Sequence, residues 1–324
     1  MAPDAQLVAR FRADLDRLSP KDEPVGLAVS GGPDSVALLL LAHAARPGRI
    51  EAITVDHALR PESAMEASFV ADLCSRLGVP HHVALAEWQE KPRSGLQEKA
   101  RAERYRLIAD WLRRSSMTAV CTGHHRDDQA ETLLMRLARG SGVRGLAAMR
   151  PSAPLPGAAD LRLLRPLLAW RHAEIVALCE AAGLTPVADP SNDEPRFERV
   201  RLRQVLASLE LDAAALARSA DNLRSADDAI EWAVERTWRA QVTDCDGATQ
   251  FNPGDAPAEI RRRIVGRIIA SLASEGSEEL RGRELDQLLA SLESGTIATL
   301  RGVRAEGGPT WRFRPAPPRT LACG

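Results

Sequence analysis

Val25 to Ser35, VGLAVSGGPDS, sets two glycines between an apolar run and a helix-forming segment. Bare N–H groups at Gly31 and Gly32 let an anion come close to the backbone, and a helix starting near Pro33 adds its positive end. Ser30, Gly31, Gly32, Pro33, Asp34 and Ser35 therefore suit a polyphosphate. No Lys-Ser/Thr follows the glycines and no G-x-G-x-x-G occurs, so the loop is neither a Walker A loop nor a dinucleotide fingerprint. A Gly-Pro turn followed by a Ser or Asp helix cap accounts for the same residues without any chemistry. The loop alone names no substrate.

Four further blocks carry polar chemistry. Asp56-His57-Ala58-Leu59-Arg60 ends an apolar run. Arg101, Arg104 and Tyr105 fall within a helical pattern. Gly123-His124-His125-Arg126-Asp127-Asp128-Gln129-Ala130-Glu131-Thr132 spans a strand end and a helix start. The last runs from Arg162-Leu163-Leu164-Arg165-Pro166-Leu167 to Asp189-Pro190-Ser191-Asn192. Each has a plain structural reading beside the chemical one. Asp128 and Glu131 have capping-box spacing, Asp56 suits an Asx turn, and Arg101 with Tyr105 suits a solvated charge beside a packed ring. Two histidines beside two aspartates at the end of a strand favour at least one polar role in a site.

The elements that position these blocks follow from periodicity. Strand-like runs at Val25–Ser30, Ile50–Asp56, His82–Leu85 and Thr118–Gly123 alternate with helical patterns at Val36–Ala45, Glu62–Leu77, Leu96–Arg113 and Asp127–Ala138. Leu7, Phe11, Leu15 and Leu18 predict an amphipathic helix ahead of them. The rhythm implies a parallel sheet covered by helices, with ligands at the carboxyl ends of the strands where strand order reverses. Arg150–Ala159, rich in Pro and Ala, is expected to be a loop, followed by a strand over Leu161–Leu168 and a helix over Arg171–Ala182. From about residue 205 to 294 the spacing is mostly helical, and Gly295–Pro315 alternates like strands, with Trp311 and Phe313 as core. Two domains are expected, 1–209 and 210–324.

Taken together and in this order, the blocks resemble the tRNA(Ile)-lysidine synthetase family of the PP-loop ATP-pyrophosphatase superfamily, over roughly residues 24–204. Arg139-Gly140-Ser141-Gly142-Val143-Arg144-Gly145-Leu146 is similar to that family as well. Two positions depart from it: Ala58 stands where Gly is usual, and Val200 stands in the place of an Asn among Arg199, Arg201 and Arg203. The resemblance implies a Rossmann-like α/β catalytic domain and a smaller, mainly helical accessory domain for tRNA recognition. It implies adenylation of the C2 oxygen of a wobble cytidine by ATP with Mg²⁺, then attack of free L-lysine and release of AMP. Ser30 to Ser35, Asp56 and His57 would hold ATP. Asp34, Asp127, Asp128 and Glu131 would be catalytic, with Asp34 and Asp127 on the metal. Arg101, Arg104, His124, His125, Arg139, Arg165, Asp189, Asn192, Arg199 and Arg203 would face the anticodon loop of tRNA(Ile) or lysine. A homodimer is compatible with this reading.

Composition sets outer bounds. The 324 residues are 44% hydrophobic and 27% charged, with a net charge of -1. No segment reaches the roughly 18 uncharged apolar residues that cross a bilayer, and the N-terminus does not resemble a signal peptide. Five cysteines without a C-x-x-C make a reducing cytoplasm the default. Net charge says nothing of RNA, but seven arginines against Asp160 alone between Arg136 and Arg171 suggest local phosphate contacts. A tRNA thiolase is the nearest rival, and it lacks support without paired cysteines. A small-molecule amide synthetase and a nucleotide-sensing binding module are the others.

Overall fold

A computed structural model describes residues 2–58, 62–88, 95–187, 201–202, 206, 208, 211–273 and 282–317. It divides into two compact units, Met1–Arg224 and Ser225–Gly324. The expected boundary near residue 210 precedes a long helix, Ala213–Gln241, that contains the dividing position.

In the first unit, strands β1 (Val25–Ala28), β2 (Ile50–Asp56), β3 (His81–Leu85), β4 (Ala119–Cys121), β5 (Ser152–Leu155) and β6 (Ala158–Leu164) form one sheet in the order β3-β2-β1-β4-β6-β5. All neighbours are parallel except β5 and β6. Helices α1 (Ala5–Asp16), α2 (Pro33–Ala45), α3 (Glu62–Leu77), α4 (Leu96–Arg114), α5 (Arg126–Ala138), α6 (Val143–Leu146) and α7 (His172–Ala181) connect or precede them. Alternation along the strands divides the core. Ala119 and Cys121 pack with α1, α2, α3 and α7, whereas Val120 packs with Tyr105, Ile108 and Leu112 of α4. Every residue of α2 from Ser35 to Ala42 is buried, as its unbroken apolar sequence requires. α1 buries Phe11 and Leu15, and Phe11 meets Trp170 edge-on with ring centroids 6.5 Å apart.

Strand order reverses between β1 and β4, so the segments leaving their carboxyl ends meet at a switch point. These segments are the phosphate loop and the HHRDD block. The sequence expectation fails at 150–159. That stretch is a β-hairpin, with Pro156-Gly157 as its turn and β5 as an antiparallel edge strand. Pro154 is accommodated because an edge strand has one unpaired side, and the register shifts beside it. Pro and Gly punctuation concealed two short strands that are held by pairing rather than propensity.

The second unit contains the remainder of the long helix, here α8 (Ala213–Gln241), with α9 (Ala258–Leu272), α10 (Gly282–Glu293) and strands β7 (Val242–Cys245), β8 (Ala248–Phe251), β9 (Ile297–Leu300), β10 (Val303–Glu306) and β11 (Trp311–Pro315). The strands form an antiparallel sheet in the order β7-β8-β11-β10-β9. The hairpin β7–β8 falls where helix was expected, so the unit is an α+β layer, with more sheet than its sequence spacing implied. Trp311 and Phe313 are core, as expected, and Trp311 meets Phe251 edge-on at 5.7 Å.

Arg263 of α9 ties this unit together. Its guanidinium lies 2.7 Å from Asp227, 2.6 Å from Glu231 and 2.7 Å from Glu259, and the Asp227 side chain is only 1% exposed. Removing one member of a buried ion pair leaves the other charge in a poor solvent. Arg263→Ala is expected to lower unfolding free energy by about 3–5 kcal/mol in urea titration. The double change Arg263→Met with Asp227→Leu should recover much of that loss.

Candidate active site

The phosphate loop is clasped by its own serines. The Ser30 N–H donates to Ser35 Oγ at 3.1 Å, and Ser35 Oγ donates to the Gly32 carbonyl at 2.9 Å. Gly31 has φ +89°, a left-handed conformation that an L side chain seldom adopts. Gly32 caps α2, with Pro33 in the first turn where no N–H is needed. A Cβ on Gly123 would stand 2.7 Å from the Asp34 carbonyl oxygen, so only glycine lets the end of β4 close on the loop. The backbone N–H of Val187 donates to the Gly31 carbonyl at 3.0 Å, bringing the chain ahead of the DPSN block back to the loop.

A cleft of ≈ 1240 Å³ opens beside this loop. Its lining includes Ser30, Gly32, Pro33, Asp34 and Ser35, and also His57, Arg101, Arg104, His124, His125, Asp127, Asp128 and Glu131. His125 lies at the centre, with its side chain 4% exposed. Nε2 lies 3.5 Å from both Asp34 Oδ1 and Asp128 Oδ2, and Nδ1 lies 3.5 Å from Asp127 Oδ2. Burial pulls the His125 pKa down, but Asp127 and Asp34, with Asp128 beside them, push it up to about 10, so the ring is an imidazolium. The contact with His125 in turn holds Asp127 well below the usual carboxylate range.

The plain readings are realised in part. Asp128 accepts the His125 N–H at 3.0 Å and so caps α5, but its partner in the capping box is His125 and not Glu131. Asp56 Oδ1 accepts the Ala58 N–H at 2.8 Å in an Asx-type turn. Its neighbour His57 accepts from Arg104 Nε at 3.3 Å. Burial, with Arg104 beside it, lowers the His57 pKa to about 4, so that ring is neutral. Arg101 lies over the Tyr105 ring at 5.0 Å. His124 Nδ1 pairs with Thr122 Oγ1 at 2.8 Å.

Arg139 and Arg165 are not among the residues lining the cleft. Arg139 ends α5 at the surface, and Arg165 is buried with Nη1 donating to the Arg150 carbonyl at 2.6 Å. Arg136 likewise turns inward to the carbonyls of Gly145 and Ala148, so the Arg136–Arg171 run is not a single basic face. Asp189, Asn192, Arg199 and Arg203 lie outside the described residues. Sequence reasoning missed His172, the first residue of α7. Its N–H donates to Asp127 Oδ2 at 2.9 Å, and its Nε2 lies 3.6 Å from Asp34 Oδ1. No local pattern marks it, because its neighbours in the site come from two other segments, the phosphate loop and the HHRDD block.

Ligand atoms of Asp34, His125 and His172 all lie within 4.8 Å of one another. Asp34 Oδ1 is buried without a hydrogen-bond partner, which suits a cation. Mg²⁺ takes oxygen ligands, commonly one or two carboxylates with substrate phosphates. The carboxylates of Asp34 and Asp127 match that donor set, whereas the imidazoles do not.

Residues 5–210 match the family model of the PP-loop domain, and the fold and loop accordingly define a PP-loop enzyme that uses ATP. The chain is 49% identical over 311 residues to the tRNA(Ile)-lysidine synthase of Novosphingobium aromaticivorans, covering 95% of this chain and 94% of that one. It is 42% identical over 306 residues to the enzyme of the same name from Zymomonas mobilis, covering 94% and 92%. The chain belongs to the tRNA(Ile)-lysidine synthase family. Among solved structures, a U34-tRNA thiolase from Methanococcus maripaludis shares the fold with a TM-score of 0.54 at 16% identity, over 67% of this chain and 78% of that one.

Two substitutions test the backbone of the site. Gly123→Ala should push the loop aside and lower ATP-dependent turnover by about 10²-fold, the scale of an ångström-sized misplacement, as read from AMP formation. Ala58 has φ +50°, so the departure from glycine falls where a side chain is strained. Ala58→Gly should raise stability by up to about 1.6 kcal/mol in thermal unfolding, because relief of about 1–2 kcal/mol of strain outweighs glycine's added chain entropy of about 0.4–1 kcal/mol.

Proposed function

We propose that the protein joins free L-lysine to C2 of the wobble cytidine in the anticodon loop of tRNA(Ile), converting ATP to AMP and pyrophosphate. The observation that carries this reading is the meeting of Asp34 from the phosphate loop with His125 and Asp127 from the HHRDD block in one cleft. Cytidine O2 attacks the α-phosphate and pyrophosphate leaves. The lysine ε-ammonium gives up a proton to a carboxylate or histidine of the cleft, the freed amine attacks C2, and AMP leaves.

The loop N–H groups and the start of α2 receive the polyphosphate. Mg²⁺ held by Asp34 and Asp127 would neutralise phosphate charge when bound. Glu131 lies on the cleft wall one turn beyond Asp128 and is 2% exposed. It is the acid we assign to the lysine ammonium, while Asp128 keeps α5 and His125 in place. Neutral His57, held by Arg104, lies on the β2 side of the cleft and contacts the nucleotide as a hydrogen-bonding group without charge. Arg101 and Arg104 face the RNA, whose looped base can enter the cleft without melting a duplex.

The thiolase alternative needs a reactive sulfur. Cys179 lines the cleft, but burial, reinforced by Asp34, pushes its thiol up to about 11, and burial pushes Cys121 up to about 12. Neither is a ready thiolate. The second unit, or on our boundary residues 210–324, serves tRNA selection in this proposal. Of Arg281, Arg283, Arg301, Arg304 and Arg312 as candidate RNA contacts, Arg281 lies outside the described residues, and Arg301 and Arg304 pair internally with Glu284 at 2.9 Å and Glu306 at 3.1 Å. The exposed Arg283 and Arg312 are the better contacts of these.

Incubation with radiolabelled lysine, ATP, Mg²⁺ and bulk tRNA should place label in tRNA and release AMP, and omission of tRNA should abolish incorporation. AMP release with no lysine in the RNA would refute the proposal. Asp34→Ala should lower incorporation by at least about 10²-fold, the range seen when a group that stabilises transition-state charge is removed.

A further inference from the structure

His172 stands where three helices begin. α2, α5 and α7 start at Pro33, Arg126 and His172, and their first turns are linked by side-chain contacts with Asp34, His125 and Asp127. The partial positive charge at each helix start falls off within a turn, so convergence concentrates it on one end of the cleft. Asp34 Oδ1 in that cluster is buried with no hydrogen-bond partner and lies 3.5 Å and 3.6 Å from the Nε2 atoms of His125 and His172. The His172 ring lies against that of His125, with centroids 5.0 Å apart, yet 47% of its side chain remains exposed at the cleft.

α7 is also fastened to the phosphate loop. Cys179 Sγ donates to the Pro33 carbonyl at 3.5 Å, and the chain just beyond α7 returns to Gly31 through Val187. A group at the start of α7 therefore holds its position relative to the loop.

We propose that His172 is a second wall of the polyphosphate site, donating a ring N–H to the pyrophosphate portion of the nucleotide while the loop holds it from the α2 side. This rests on the loop being the polyphosphate site, as proposed above. A ring serving only to brace Asp34 would not need to be half open to the cleft.

Calorimetric titration of inorganic pyrophosphate with Mg²⁺ into the full chain tests the proposal directly. His172→Ala is expected to bind pyrophosphate about tenfold more weakly, the scale of one hydrogen bond to a charged group. KM for ATP should rise by a similar factor, with KM for lysine unchanged. His172→Phe, which keeps a ring against His125 without a donor, should match the Ala variant, and His172→Gln should recover part of the affinity. Wild-type pyrophosphate affinity in both the Ala and Phe variants would overturn the proposal, as would an equal rise in both KM values. If the wild-type chain itself takes up no pyrophosphate, the reading of the loop fails, and this inference fails with it.

Discussion

The imidazolium of His125 among the carboxylates of Asp34, Asp127 and Asp128 is the interaction on which the site depends. Each contact is 3.5 Å long. At an effective dielectric constant of about 20, one such pair is worth roughly 4–5 kcal/mol before desolvation is counted. Without the cation, three acids from two segments would repel one another, and the end of β4 could not lie against the phosphate loop. With it, one positive charge faces three negative ones, and the remainder is still acidic. That remainder is the chemistry that the proposed metal ion and lysine ammonium would need.

The sheet supplies the place for that interaction. Because strand order reverses between β1 and β4, the segments leaving both strands diverge in connection but share one crevice. Close approach there is steric as well as electrostatic. Gly123 lets the HHRDD segment reach Asp34, and Gly31 supplies a left-handed turn. The β5–β6 hairpin extends the sheet beyond β4, and the Leu167–Trp170 segment after it carries the chain to the start of α7.

Many of the arginines in this chain are structural. Arg136 and Arg165 satisfy backbone carbonyls, Arg263 joins three acids, and Arg301 and Arg304 close pairs within the second unit. A guanidinium offers five donors in a fixed fork, so it can bind carbonyl oxygens as readily as phosphates. Density of arginine in a sequence window is therefore a poor measure of an RNA-binding face. Among the described residues, the arginines that line the cleft are Arg101 and Arg104, both from one helix.

Sequence alone determined the alternation of strands and helices through residue 138, the buried α2, the phosphate loop and its lack of a Walker lysine. It also marked nearly every polar residue that lines the cleft on the β1 and β4 sides. These features were legible because they depend on local periodicity and on residue types whose chemistry needs no partner. Tertiary structure decided the rest. The 150–159 hairpin exists by strand pairing that its Pro-rich sequence does not announce, whereas β7–β8 turns on Asp246-Gly247, both at positive φ, a local hairpin signal that the helical spacing on either side outweighed. Arg165 became a buried carbonyl ligand because folding brings the Arg150 carbonyl beside it, whereas the Asp128 cap is local, to the N–H three residues back. Ala58 proved to occupy a left-handed position, which no residue type discloses. His172 entered the site only because α7 begins beside Asp34 and Asp127, and proximity between distant segments is a property of the folded chain.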